Sequence, residues 1–543
     1  MNLCGLCGDM WIEKQTFGDL IDRAAERWPE REALCFEGRR WTFAEQRAEV
    51  DRAAKALIAA GVAPGDHVCL WLGNRPEFVF LFFAVAKIGA VLVPINTRFR
   101  TRDMAYIVTQ SDATTVIAAD RSHGVDYLGM LEELLPGLRE QDPNRLAIES
   151  APRLRRVIIL GAESPGTLHW DALLRAGEAV PSDELARRSA AVDPDGTVYI
   201  MYTSGTTGFP KGVMQGHNVV RNIHDNANRL GVTTADVLLD YLPLFHAFAV
   251  YKALLMSPAT GARHVLMPVF DAGEALRLIE TERATMINGF DTHYKDLLEH
   301  PTFAARDVSS LRTGVCAAGM LSSEPIARRA QQLMRTMTGY GMTEIGVGVT
   351  GTFLDTDEET RVTMSGWPLP GYEIKIIDPA TGAALPAGET GEICVRGYQV
   401  MQGYYKKPEE TAKTVDPDGW LHTGDSGFLR ADGCLRFLGR YKDQLKVGGE
   451  NVDPTEIESL LLDDPRINHV AVVGAPDPRL SEVPVAFVIR EPGATLSEED
   501  VLALCRGRVA SFKCPRRVYF VDAFPMTGSG KIQKYLLRQR ASE

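Results

Sequence analysis

The stretch "TVYIMYTSGTTGFPKGV", Thr197 to Val213, decides how this chain is read. Its first six residues are a β-branched and aromatic run of strand type. Seven glycines, serines and threonines then crowd between Tyr202 and Val213 around one lysine, Lys211. So many small residues in one place mark a loop whose backbone N–H groups face an anion. A strand ending in such a loop is the ligand-binding edge of a βαβ sheet. The fold class predicted outward from it is α/β.

The neighbouring segments agree. "HVCLWL" (His67 to Leu72), "TTVIAA" (Thr114 to Ala119) and "RRVIIL" (Arg155 to Leu160) are short apolar runs alternating with helical patterns. That arrangement builds parallel sheets. "FVFLFFAVAKIGAVLVPI", Phe78 to Ile95, reaches the length of a membrane span. Lys87 and Gly89 interrupt it, so it reads as a buried helix to about Lys87, a turn, and a strand from Val91 to Ile95. No transmembrane segment is expected. From Glu373 the pattern turns β-rich, and "YEIKIIDPATGAALPAGETGEICVRG" reads as hairpins. After "LRFLGRYKDQLKVGG" comes a last section with its own alternation of helices and strands, enough for a small α+β domain. The boundary falls near Gly439 to Lys442. It separates a large N-terminal region of parallel-rich sheets and a β-rich subdomain (1–438) from a small mobile C-terminal domain (439–543).

At 543 residues the chain exceeds one compact core. Its 45% hydrophobic and 24% charged residues are those of a soluble globular protein. A net charge of -12 and a pI near 5.5 argue against nucleic acid or an anionic membrane as the main partner. Nine scattered cysteines with no secretory start argue for a reducing, cytoplasmic setting. Cys4 and Cys7 form a CxxC with no second pair to complete a zinc site, and a flexible N-terminus is the plainer reading.

Three nucleotide fingerprints are decoys. In the opening loop Lys211 follows Pro210, and Gly212 stands where a P-loop needs a hydroxyl. "TGSGK", Thr527 to Lys531, is followed by Ile532. Gly346, Gly348 and Gly351 have dinucleotide-loop spacing, but no apolar-periodic helix follows. What remains suits a mobile polyphosphate held by hydroxyls, N–H groups and one ammonium.

"YTSGTTGFPKGV" resembles the phosphate loop of the adenylate-forming superfamily, which contains acyl-CoA synthetases, peptide-synthetase adenylation domains and luciferases. Five further landmarks stand in that family's order: "PLFHAFA" (Pro243 to Ala249), "YGMTE" (Tyr340 to Glu344), "DGWLHTGD" (Asp418 to Asp425), "GRYKDQLKVGGENVDPTEIE" (Gly439 to Glu458) and "PMTGSGKIQK" (Pro525 to Lys534). The resemblance runs from about residue 15 to the end.

It implies a two-step reaction. A carboxylate attacks the α-phosphate of ATP, pyrophosphate leaves, and a thiol then takes the acyl group. Thr203, Ser204, Thr206, Thr207 and Lys211, with the permissive Gly205 and Gly208, would grip the leaving phosphates. Glu344 would carry Mg²⁺, and Thr343 would touch the α-phosphate. Tyr340, flanked by Gly341 and Met342, would stack on adenine near Ala318 and Gly319. Asp425 and Arg440 would hold the ribose. Lys531 would bridge the attacking carboxylate and the α-phosphate. Lys442 would be the hinge on which the small domain swings, presenting Lys446, Gly448 and Gly449 to coenzyme A.

The family resemblance also bears on the acid. His246 stands beside Phe245 with no carboxylate near it, which disfavours amino acids. It either gates the acyl pocket or fills space between aromatic neighbours. The pocket would be lined by Phe245, Phe290, Asp291, Cys316 and Gly346. Where fatty-acid-activating relatives commonly show Pro-Thr-apolar-Tyr, this chain reads Phe290-Asp291-Thr292-His293-Tyr294. A buried Asp291 needs a partner: pairing with His293 is favoured, and reading a polar group on the substrate is the alternative. The expectation is an acyl-CoA synthetase for a medium-chain fatty, alicyclic or aromatic acid, with ATP, Mg²⁺ and coenzyme A, and with a homodimer open. An acyl-AMP ligase serving a separate carrier protein is the runner-up.

Overall fold

The computed structural model describes residues 14–122, 124–203, 210–317, 323–346, 348–443, 445–447, 450–506, 508–509, 511–526 and 532–542, without the side chains of Lys442, Lys446, Glu450, Asn451 and Ser481. Cys4 and Cys7 lie outside them.

The strand Thr197–Thr203 runs through an eight-stranded sheet. On one side it continues in parallel through Val91–Pro94, His67–Trp71, Thr115–Ala119, Arg156–Leu160 and Leu168–His169. On the other it pairs antiparallel with Lys211–Gly216, which pairs with Gly403–Tyr404. Thr115–Ala119 and Arg156–Leu160 are buried at every position. Both faces of such strands are covered, which is why they read as unbroken apolar runs rather than as alternation.

Phe78 to Ile95 folds as expected, as the helix Pro76–Lys87 and the strand Val91–Pro94. Proline opens the helix at a position that needs no N–H. Gly89, at φ +76°, turns the chain where a side chain would be strained. Lys87 is buried yet paired, with Asp22 at 2.6 Å and Asp51 at 2.7 Å. Two carboxylates therefore account for a charge inside an apolar helix.

A second sheet, of seven strands, runs in the order Arg335–Met337, Thr313–Ala317, Met286–Phe290, Val237–Asp240, Arg263–Leu266, Glu32–Phe36 and Arg39–Thr42. All neighbours are parallel except the last hairpin. One hydrophobic core joins residues of both large sheets. The hairpins read after Glu373 form a four-stranded antiparallel sheet, Tyr372–Ile377, Gly391–Gly397, Leu421–Leu429 and Leu435–Arg440, with its own core.

The last section has a further mixed sheet built from Leu445–Val447, Glu450–Val452, Ile467–Asp477, Ser481–Arg490 and Arg517–Phe520. The helix Pro454–Leu462 packs against it, capped by Asp453. Its apolar residues form two clusters of their own. No helix among the described residues is long and apolar enough to cross a membrane.

Candidate active site

Three chain segments meet where the glycine-rich loop returns to the sheet at Lys211. The first is the loop's own flank, where Thr203 Oγ1 donates to the Lys211 carbonyl at 3.5 Å. The second carries Tyr340, Gly341, Met342, Thr343 and Glu344, and ends in the short 3-10 turn Thr343–Ile345. Gly341 sits so close to the following loop that a Cβ there would lie 2.3 Å from the Gly348 nitrogen. The third is Met401 to Tyr405, which returns from the antiparallel sheet and is tied down by Met401 N donating to the Glu344 carbonyl at 2.7 Å.

Tyr404 joins the two charged groups of this cluster. Its hydroxyl donates to Glu344 Oε1 at 3.0 Å, and the Lys211 ammonium lies 4.8 Å from its ring centroid. Glu344 is 7% exposed, and burial raises its pKa above the ordinary glutamate value despite the Tyr404 hydrogen bond. Lys211 also donates to Glu410 Oε2 at 2.7 Å. Gln215, on the same strand as Lys211, braces the cluster by donating to the carbonyls of Thr343 at 3.0 Å and Gln399 at 3.3 Å.

A second polar group lies beside it. Asp425 and Arg440 are register partners on adjacent strands, with Arg440 Nε 3.3 Å from Asp425 Oδ1. The Tyr340 hydroxyl donates to Asp425 Oδ2 at 2.7 Å, and its ring packs on Phe437 at 5.5 Å. Burial and the Asp425 charge push the Tyr340 hydroxyl well above the ordinary tyrosine range, so it stays a donor. Behind them Glu392 accepts from Gly424 N at 2.9 Å through one oxygen, and its other lies 3.3 Å from His422 Nδ1. This pair holds the turn that presents Asp425.

The expected acyl wall is aromatic and tightly packed. His246 caps a short helix, its Nδ1 accepting from Phe248 N at 3.4 Å. Phe248 meets Phe290 edge to face at 5.3 Å, and Phe245 packs against the main core. Cys316 is fully buried on its strand, and burial pushes its thiol well above the ordinary range. Gly346, at φ +73°, has the Gln399 amide where a Cβ would stand, 2.4 Å away. Only glycine fits there.

One expectation fails. Asp291 does not pair with His293. Asp291 Oδ1 accepts from Thr292 N at 2.9 Å, whereas His293 Nδ1 accepts from Phe290 N at 3.2 Å. His293 stacks with Tyr241 at 5.4 Å and meets Phe270 edge-on at 4.7 Å, and burial lowers its pKa to about 4. The imidazole is a neutral cap among aromatic rings, because the helix Asp291–Glu299 begins at this point and turns the two side chains to different partners. Burial raises the Asp291 pKa, with Lys295 opposing it.

Ser204, Gly205, Thr206, Thr207, Gly208, Ala318, Gly319, Gly448, Gly449 and Lys531 lie outside the described residues, as do the side chains of Lys442 and Lys446. The backbone of Lys442 forms the turn Tyr441–Asp443 directly after the strand that carries Arg440. Tyr404, Glu410, Gln215 and Glu392 were not singled out from the sequence. His422 lay inside the quoted "DGWLHTGD", but nothing local distinguished it.

The fold is that of an adenylate-forming enzyme. The chain belongs to the AMP-binding enzyme family, whose model matches residues 21–405, with the AMP-binding enzyme C-terminal domain matched over residues 456–531. It is 36% identical to a 3-[(3aS,4S,7aS)-7a-methyl-1,5-dioxo-octahydro-1H-inden-4-yl]propanoyl:CoA ligase of Rhodococcus jostii (strain RHA1), over 98% of this chain and 99% of that protein. It is 33% identical to the mitochondrial medium-chain acyl-CoA ligase ACSF2 of Rattus norvegicus, over 98% and 89%. Its fold superposes on the anthranilate CoA ligase AuaEII in complex with anthranoyl-AMP with a TM-score of 0.85, at 29% identity over 97% and 98% of the two chains. The activity class is AMP-forming acid-thiol ligation, acyl-CoA synthetase chemistry.

Proposed function

We propose that the chain activates a medium-chain fatty, alicyclic or aromatic carboxylic acid with ATP and transfers the acyl group to coenzyme A. The observation that carries this reading is the Tyr404 bridge, which brings the buried Glu344 carboxylate and the Lys211 ammonium into one cluster. A phosphate-binding cation and a metal-binding carboxylate are what a polyphosphate substrate needs side by side.

In this mechanism Lys211 moves from Glu410 to the β- and γ-phosphates, joined by the hydroxyls of Thr203, Ser204, Thr206 and Thr207. Asp425 accepts from the ribose hydroxyls, and Arg440 donates beside it. Tyr340 stacks on adenine, and Thr343 contacts the α-phosphate. Lys531 places positive charge between the attacking carboxylate and the α-phosphate.

Glu344 fits a hard cation. Burial raises the cost of its negative charge, and a divalent cation held by Glu344 would offset that cost. When bound, Mg²⁺ would neutralise phosphate charge as pyrophosphate leaves. The backbone at Lys442 then turns, withdrawing Lys531 and presenting Lys446, Gly448 and Gly449 to the thiol. This division into a large region and a small moving domain is consistent with their separate cores.

The test is mass spectrometry of products from purified protein with Mg-ATP, coenzyme A and a panel of medium-chain, alicyclic and aromatic acids. The expected product is one dominant acyl-CoA thioester. AMP and pyrophosphate without thioester would reject coenzyme A as acceptor and favour transfer to a carrier protein.

A further inference from the structure

Lys252 stands at a position that no step above uses. It lies on the π-helical turn Val250–Leu254, which continues the short helix capped by His246. Such turns need an extra residue per turn and are frequent at functional sites. Lys252 is 5% exposed, among buried apolar neighbours on its own turn. Its carbonyl accepts from Asn288 Nδ2 at 3.2 Å, which fixes the turn to the strand Met286–Phe290 of the acyl wall.

The side chain extends toward the loop that follows Glu344. Its ammonium lies 3.4 Å from where a Cβ on Gly348 would sit. Among the described residues its ammonium donates one hydrogen bond, to Asn226 Oδ1. Asn226 donates in turn to Asn222 Oδ1 at 2.7 Å, and Asn222 donates to the Gly348 carbonyl at 2.9 Å. A charged lysine has three N–H donors, so one acceptor leaves the group under-supplied in a place water does not freely reach. The charged groups facing it are Asp225 and Arg229, both on the helix Val219–Arg229 and paired with each other at 3.0 Å. Neither hydrogen-bonds Lys252.

We propose that Lys252 forms a polar subsite at the remote end of the acyl pocket, taking an oxygen acceptor carried by the substrate's tail. The preferred acid is then one with a ketone, hydroxyl or carboxylate oxygen distant from the reacting carboxyl group, rather than a plain alkyl acid. Lys252 follows His246 by six residues, through the short helix that His246 caps and the π-helical turn that continues it, so the two side chains are set apart along one segment. Burial holds the Lys252 pKa down to about 7, so the site passes between neutral and charged forms near neutrality and accepts neutral as well as anionic oxygens. This inference rests on the ligase reading for the meaning of the pocket. Its own content is the polarity of the tail.

The test compares matched acids, octanoate with octanedioate and nonanoate with 8-oxononanoate, on full-length wild type and Lys252→Met. Pyrophosphate release gives kcat/KM, and calorimetry of the acids alone gives binding without turnover. Wild type is expected to prefer the oxygenated member of a pair by about 10- to 100-fold, the range of a hydrogen bond to a charged group. Lys252→Met should reverse that order, falling on the oxygenated acid and rising on its alkyl match. Equal efficiency and equal binding of both members by wild type overturn the subsite and leave the ligase reading standing. A uniform loss on all acids in a folded Lys252→Met protein also overturns it, since that is the signature of a brace. If wild type turns over no acid yet binds the oxygenated member selectively, and Lys252→Met abolishes the selectivity, the ligase reading has failed and the subsite stands.

Discussion

The Lys211 ammonium donates a 2.7 Å hydrogen bond to Glu410 Oε2, joining the end of the glycine-rich loop to the helix Pro408–Thr414. Lys211, with Lys413, holds the Glu410 carboxyl down at about 2. Glu410 therefore stays ionised through the whole neutral range. In the proposed mechanism ATP displaces Glu410 from Lys211. Glu410→Gln is expected to lower the KM for ATP by roughly two- to fivefold, the scale of an exposed ion pair, with little change in kcat. Pyrophosphate release against ATP concentration measures it, and an unchanged or higher KM would show that Glu410 does not compete with phosphate.

Glu344→Gln keeps the size and the Tyr404 contact but removes the charge. The expected result is a loss of about 10² in adenylation rate, with the Mg²⁺ concentration for half-maximal rate displaced upward. A magnesium titration of both proteins checks this. An identical titration curve would remove Glu344 from the metal.

Tyr340→Phe strips one donor from Asp425, which is 3% exposed. A buried carboxylate left short of a partner costs about 1 to 3 kcal/mol. Urea denaturation is expected to show that loss, accompanied by a higher KM for ATP because Asp425 loses its fixed orientation.

Lys531→Ala should separate the two half-reactions. Adenylation is expected to fall by about 10² to 10³, whereas thioester formation from supplied acyl-adenylate and coenzyme A should persist. Equal loss in both half-reactions would contradict a domain that presents Lys531 only for the first.

Lys252 also sets a pH dependence of stability. Burial holds its folded pKa at about 7, below the ordinary value of 10.5. Between these values the unfolded chain binds more protons than the folded one, so this group's contribution to stability rises with pH by up to about 1.4 kcal/mol per unit. Below about pH 7 the penalty is complete and constant. Lys252→Met removes the slope, and urea midpoints of both proteins at pH 7, 8 and 9 should draw together as pH rises.

What the sequence by itself determined was local or periodic. Continuous apolar runs marked the buried parallel strands, the glycine at 89 marked the break between helix and strand, and the small residues before Lys211 carried the resemblance to a phosphate loop. The ordered motifs placed Tyr340, Glu344, Asp425 and Arg440 in one family. Tertiary structure alone decided which groups touch. Tyr404 lies under Lys211 because Gly403–Tyr404 adds to the edge of the eight-stranded sheet, a long-range pairing with no local pattern to announce it. His293 and Asp291 stand two residues apart and still part, because a helix begins between the strand and its first turn and the backbone N–H groups there claim both side chains. Lys252 reads as an ordinary lysine in an apolar stretch. Only the π-helical turn and the asparagines of the facing helix show that its amine is buried and held by Asn226.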